Sequence, residues 1–226
     1  TASYSGADMT ILAEHITAGG MLDMAYQQEP DSIVWMVRND GVLIGMTYRR
    51  EEQVVAWHQH KLGGTYTGTH EGLSSATYGY GMVESIASLP TENSEDELYM
   101  IVKRTINSVT KRYVERMKPF DFGSVATGAF FVDSGLSYSG SVTTSLAGLY
   151  HLHGQTVSVL ANGATHTDET VASGGISLNV SATSAAIGLG FTSRLKTLRL
   201  ESGSVDGTSQ GKLKRIHEIT LRLHET

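Results

Sequence analysis

The chain has 226 residues, of which 40% are hydrophobic and 18% charged, with net charge −6 and pI ≈ 5.8. That length holds one large β domain or two small ones with a normal core, and the acidic balance argues against a module that grips nucleic acid through clustered Lys and Arg. Cysteine is absent, which excludes a disulfide frame, a thiolate zinc site and a cysteine nucleophile.

Asp8 stands as a cap before Met9, Leu12, Ala13 and Ile16 at helical spacing, so a short helix is expected, ended by Gly19-Gly20. Residues 21–27 read as a strand and Glu29-Pro30-Asp31-Ser32 as a turn. The apolar runs 33–37, 42–48 and 54–57 then predict an antiparallel meander. Asp40-Gly41 supplies the positive-φ residues of its first turn. Both tryptophans, Trp35 and Trp57, fall in this stretch and are expected to nucleate the main core.

The polar run 65–81, rich in Gly, Ser, Thr and Tyr, reads as a loop. Residues 82–89 predict a strand, with Val83, Ser85 and Ala87 facing one way and Glu84, Ile86 and Ser88 the other. Pro90 ends it, and an exposed acidic turn with Glu92, Glu95, Asp96 and Glu97 follows. Residues 98–102 and 111–117 predict a hairpin joined by 104–110. Lys103, Arg104, Arg112 and Glu115 are expected on one solvated face.

Composition changes near Phe120, and from there to about residue 204 the chain is rich in Gly, Ser, Thr and Ala. Strands are expected at 157–161, 176–180, 185–189 and 195–200, with turns at Asn162-Gly163 and Ser173-Gly174-Gly175. Residues 165–172 read as a crossover or a polar strand. Even spacing of short strands indicates a small β-sandwich or barrel. After a flexible turn at 206–211, Ile219, Leu221 and Leu223 alternate as in a strand. The expected regions are therefore 1–122, an inserted 123–204, and 205–226 as a strand returning to the first. No run reaches the ~20 apolar residues of a membrane span.

Few constellations carry chemistry. His58-Gln59-His60 and His151-Leu152-His153 each place two imidazoles on one strand face, as a transition-metal chelate requires. No carboxylate stands at ligand spacing beside either pair, and half-buried strand or turn histidines making hydrogen bonds are the plainer reading. Asp133-Ser134-Gly135 lacks the Gly-x-Ser-x-Gly elbow of a serine nucleophile and reads as a tight turn. Gly188-Leu189-Gly190 lacks the third glycine of a dinucleotide loop. The acidic turn reads as solvated rather than as paired catalytic carboxylates. Tyr66, Tyr78 and Tyr80 are the candidate binding surface: they are placed either to stack on sugar rings or a partner chain, or to cover the loop's own core. No catalytic residue, cofactor or metal is assigned.

Several segments, in order, carry a family likeness: Ala13-Glu14-His15, residues 32–43, Thr47-Tyr48, Ala56-Trp57-His58, residues 98–104, Tyr113-Val114-Glu115, Asp133-Ser134-Gly135-Leu136, residues 148–157 and Ala161-Asn162-Gly163. Together they resemble the tail nozzle, or tail-hub, proteins of short-tailed bacteriophages. The resemblance implies a virion structural protein, made in the bacterial cytoplasm, with a β-propeller and additional β domains. It also implies copies that form a six-fold ring, beside adjacent tail or adaptor proteins, through which DNA passes without specific binding. The chain, with Thr1 at its start and strand-like residues at its end, is expected to be an excerpt of a longer polypeptide. The expected fold is mainly β: an antiparallel propeller-blade-like meander plus a small sandwich or barrel, with a short N-terminal helix. Two rival readings stand beside this one. A carbohydrate-binding or adhesin module requires Tyr78 and Tyr80 as an exposed platform. A β-rich hydrolase requires convergent His, Asp or Glu in one deep pocket.

Overall fold

The computed structural model describes residues 6, 8–92, 95–197, 213 and 215–222. It is mainly β, built from several antiparallel sheets. Residues 1–192 form one compact unit and residues 193–226 a second.

The first sheet is the expected meander, extended by one strand. β1 (Met21–Gln27), β2 (Ile33–Arg38), β3 (Leu43–Arg49) and β4 (Val54–His60) lie in sequence order. The β2–β3 turn has three residues, Asn39-Asp40-Gly41. Arg38 N–H bonds to Val42 O at 3.0 Å, and only Gly41 has positive φ, at 74°. This is a type I turn closed by a left-handed glycine, rather than a two-residue turn with both residues left-handed. The Asp40 carboxylate accepts two hydrogen bonds from the Arg38 guanidinium, at 2.8 and 2.7 Å, which pins the turn.

Register assigns the faces. Trp35 pairs with Gly45 and Gly45 with His58, while Met36 pairs with Ile44 and Met46 with Trp57. Trp35, Val37 and Leu43 therefore face one side and enter the main core. Trp57 faces the other side and donates its indole N–H to Met9 O. The two tryptophans do not share a core as expected, because an odd spacing in register puts them on opposite faces.

The expected loop 65–81 is a hairpin, β5 (Tyr66–His70) and β6 (Leu73–Tyr78). Glu71 and Gly72 form its turn, both with positive φ. Small and polar residues obscured the strands, because neither strand carries the apolar alternation of a half-buried one.

The next sheet has the order β7 (Met82–Pro90), β8 (Asp96–Ile106), β9 (Val109–Arg116). A register shift between Val83 and Ser85 resets the alternation of β7. Val83 and Ile86, three apart, consequently both enter the core, against the predicted faces. The hairpin connection is only Asn107-Ser108, both with positive φ, so β8 runs through Arg104 to Ile106. Leu98, Met100 and Val102 of β8 meet Trp35, Val37 and Leu43 across the main core.

The glycine-rich region builds a five-stranded sheet in the order β10 (Asp133–Ala147), β14 (Gly175–Leu189), β11 (Thr156–Ala161), β12 (Ala164–Thr165), with β13 (Glu169–Thr170) also on β11. The sequence predicts no strand over β10, because Ser, Gly and Thr fill it. The strands expected at 176–180 and 185–189 are one long strand, β14. Irregular pairing at three points along β10 interrupts its ladder with β14. Leu146, Ile176 and Leu178 from one end then join Val157, Val159 and Ile187 in a second core. Asn162-Gly163 and Ser173-Gly174 turn the chain as expected, with positive φ at all four residues.

The helix is shorter than expected, Glu14–Thr17. Asp8 instead closes a local turn on Thr10, accepting from its N–H at 2.8 Å and its hydroxyl at 2.7 Å. In the second unit, residues 215–222 carry no strand despite the alternation of Ile219 and Leu221. No other segment pairs with them among the described residues, and alternation without a ladder partner forms no sheet. Residues 198–200 of the strand expected at 195–200, the turn at 206–211 and Leu223 lie outside the described residues.

Candidate functional site

A cleft of about 900 Å³ lies where the two cores meet. β2 and β4 bring Trp35 and His60, β9 brings Tyr113 and Glu115, and the start of β10 brings Asp133. Phe130, Phe131 and Phe191 add aromatic surface. Phe131 is 55% exposed and Phe191 44%, whereas Trp35 is buried.

Arg104 organises the polar wall. It was expected in solvent and is fully buried, because its strand continues past the expected turn and points it at the joint between cores. Its guanidinium pairs with both Glu115 oxygens. Its Nε donates to Gly63 O at 2.7 Å. Gly63 N–H in turn donates to Asp133 Oδ2 at 2.6 Å. One residue's main chain thus connects the two cores. A Cβ on Gly63 would stand 2.7 Å from Gly190 O, so only glycine fits there. Burial pushes the Asp133 carboxyl above its ordinary value, opposed by the Gly63 N–H and by Arg104. Lys103 is also buried rather than solvated, paired with Glu84 at 3.1 Å.

His58 Nδ1 and His60 Nε2 are 2.7 Å apart, one donating and the other accepting. They do share a face, against Trp35, with ring centroids 5.5 Å from it in both cases. Burial lowers both pKa values, that of His60 to about 4 with a further push from His58. The pair is therefore neutral at pH 7. Among the described residues no group of three or more His, Asp or Glu is placed to hold a metal ion.

The second histidine pair is separated. His151 meets Ser134 O through Nε2 at 2.8 Å, while His153 accepts from Ser173 N–H at 3.1 Å through Nδ1. These residues sit in a 3₁₀ turn, Tyr150–Leu152, and its exit, not on a strand, so the two-residue spacing does not align them. Ser134 has positive φ, 50°, at a pairing irregularity of β10, and His151 meets its carbonyl oxygen rather than its hydroxyl.

The tyrosine surface is largely internal. Tyr66 is buried and donates to Thr69 O at 2.7 Å. Its ring stacks on Tyr78 at 6.1 Å, and Tyr78 meets Tyr80 edge-on at 6.0 Å. Lys103 Nζ lies 4.5 Å from the Tyr66 ring centroid. Tyr80 donates to Asp40 O at 3.3 Å, joining the hairpin to the β2–β3 turn. Tyr78 and Tyr80 are half-buried. The tyrosines cover their own hairpin, which removes the flat exposed platform that the adhesin reading needs.

Sequence reasoning missed the cleft as a unit. Its members come from residues 35, 60, 113, 115, 131 and 133, which the sequence suggests separately, Trp35 for the core, His60 for a histidine pair, Glu115 for a solvated face and Asp133 for a turn, and never together. The aromatic spacing of Phe130-Phe131 was the one local signal available.

No family model matches the chain, and no curated protein matches it. No helix among the described residues is long and apolar enough to cross a membrane.

Proposed function

We propose that the chain is part of a ring-shaped tail nozzle of a short-tailed phage, a structural component of the virion that acts by assembly rather than by catalysis. The observation that carries this reading is a sheet with two apolar faces. The inner face of β1–β4 carries Ile33, Trp35, Val37 and Leu43 and packs on β7–β9. The outer face carries Met24, Tyr26, Met36, Ile44, Met46, Val55 and Trp57 by the same register. Residues near Met9 and Ile16 touch this outer face through Trp57 and Arg38. Met24 remains 67% exposed, Tyr26 54% and Val55 43%.

An antiparallel sheet that serves as the outside of a domain has one polar face. A propeller blade is different, since neighbouring blades cover both of its faces. The two-faced pattern fits a blade whose second neighbour is a further sheet of the same protein. Resemblance supplies the rest of the reading: six copies in a ring, adaptor proteins beside it, and DNA passing through. The net charge of −6 suits a lumen that DNA slides through, since a lumen rich in Lys and Arg would hold phosphates and slow ejection.

The test is mass measurement in solution by light scattering, on this chain and on a longer chain that contains it. A longer chain that forms a closed ring supports the reading. A ring map with a continuous basic stripe along the channel refutes the role of the lumen.

A further inference from the structure

The cleft between the two cores has features that assembly does not use. Its volume of about 900 Å³ lies within the ~300–1,000 Å³ of small-molecule sites. Such sites are mostly apolar with a few convergent polar groups. Here Trp35, Tyr113, Phe130, Phe131 and Phe191 supply ring faces and edges, while Glu115 and Asp133 supply oxygens.

Charge decides which ligand suits it. Three of the six carboxylates that line the cleft are paired with an arginine, and Asp96 accepts from the Gln28 N–H at 2.7 Å. Glu115 pairs with Arg104, Glu97 with Arg116 and Asp31 with Arg49. Asp133 accepts from Gly63 N–H, and burial favours its neutral form. Lys118, 5.7 Å from the Phe130 ring centroid, adds a positive charge to the same lining that holds Glu95. A cation gains little from carboxylates that are already neutralised, and an anion gains nothing. A neutral ligand with apolar ring faces and hydroxyls around its edge uses both kinds of surface. Aromatic side chains cover the C–H faces of a sugar, and paired carboxylates still have lone pairs to accept its hydroxyls.

We infer that this cleft binds a neutral oligosaccharide, stacked on Phe131 and Phe191 and hydrogen-bonded by Glu115 and Asp133. The site is independent of ring formation. It differs from the tyrosine surface, whose rings pack on one another.

Isothermal titration calorimetry with cellohexaose, maltohexaose and chitohexaose tests it, with decalysine as the cationic probe. The expected result is binding of at least one hexasaccharide with Kd below about 1 mM. Phe131→Ala and Phe191→Ala each weaken it about tenfold, a loss of ~1.4 kcal/mol. Both side chains are substantially exposed, so neither variant threatens folding. Tyr26→Ala, on the outer face of β1–β4, leaves sugar binding unchanged. Failure of all three sugars overturns the inference, as does tighter binding of decalysine, or full binding by both phenylalanine variants. None of these outcomes bears on ring formation, which is read separately by mass.

Discussion

The Arg104 guanidinium is fully buried, and the Glu115 carboxylate that meets it is 14% exposed. Opposite charges in a shielded setting are held together strongly, but their desolvation cancels much of the gain. Removing one partner is therefore far worse than removing both. Glu115→Gln is expected to destabilise by about 3–5 kcal/mol in urea unfolding, because it strands the guanidinium. Arg104→Met with Glu115→Leu recovers most of that loss. It does not recover all, since Gly63 O loses its donor at a cost of ~1–3 kcal/mol.

The Gly45 backbone leaves room for the His58 ring. A Cβ at residue 45 would stand 2.1 Å from His58 Cε1. The ring has nowhere to retreat, because it packs edge-on against both Trp35 and His60. Gly45→Ala is expected to cost about 1–3 kcal/mol by overpacking, measured by thermal or urea unfolding. Gly45→Ala with His58→Ala is expected to be less destabilised than the sum of the two single variants.

The histidine pair gives stability a pH dependence of known sign. His60 has a folded pKa of about 4 against an ordinary value of 6.5. Between those values the unfolded chain binds more protons, so stability is full above pH 6.5 and falls as pH drops toward 4. His58 contributes with the same sign. The urea midpoint is expected to fall from pH 7 to pH 5, a window above the ordinary carboxylate range. His60→Gln flattens that slope, and an unchanged slope in this variant would refute the assignment.

The Asn107-Ser108 turn has room for improvement. Both residues have positive φ, 50° and 62°, as in a type I′ turn, whose preferred sequence is Asn-Gly. Ser108→Gly is expected to stabilise by up to ~1 kcal/mol, since it removes the left-handed penalty on a residue with a Cβ. A rise of a few degrees in Tm checks it.

The outer face of β1–β4 makes assembly separable from folding. Met24→Asp and Tyr26→Asp change exposed side chains and are expected to alter stability by no more than ~0.5 kcal/mol. In a longer chain that forms rings, the same pair is expected to abolish the ring, as read by light scattering. Intact rings in the double variant would place the contact elsewhere.

The meander was legible because Ile, Val and Trp mark β2 to β4 and Asp40-Gly41 marks a turn. Strands made of Ser, Gly and Thr were not, since β10 and β6 owe their form to partners rather than to local propensity. The bulge at Glu84 was equally hidden, because one extra residue in β7 is defined only against β8. Arg104 shows the limit most clearly. A charged residue near an expected turn reads as solvated, and its burial depends on Glu115 and Gly63 arriving from elsewhere in the chain. The cleft was illegible for the same reason, since its aromatic and carboxylate groups share no local pattern.

Gly63 has a consequence for how this chain can vary in sequence. Both of its contacts run through main-chain atoms, which every amino acid possesses, yet its Cα hydrogens face Gly190 O too closely for any side chain. Natural variants that retain the joint should therefore keep glycine at 63 while Asp133 and Arg104 change together or not at all. A set of related sequences in which 63 is invariant and 104 co-varies with 115 and 133 would record this joint as a fossil of the contact.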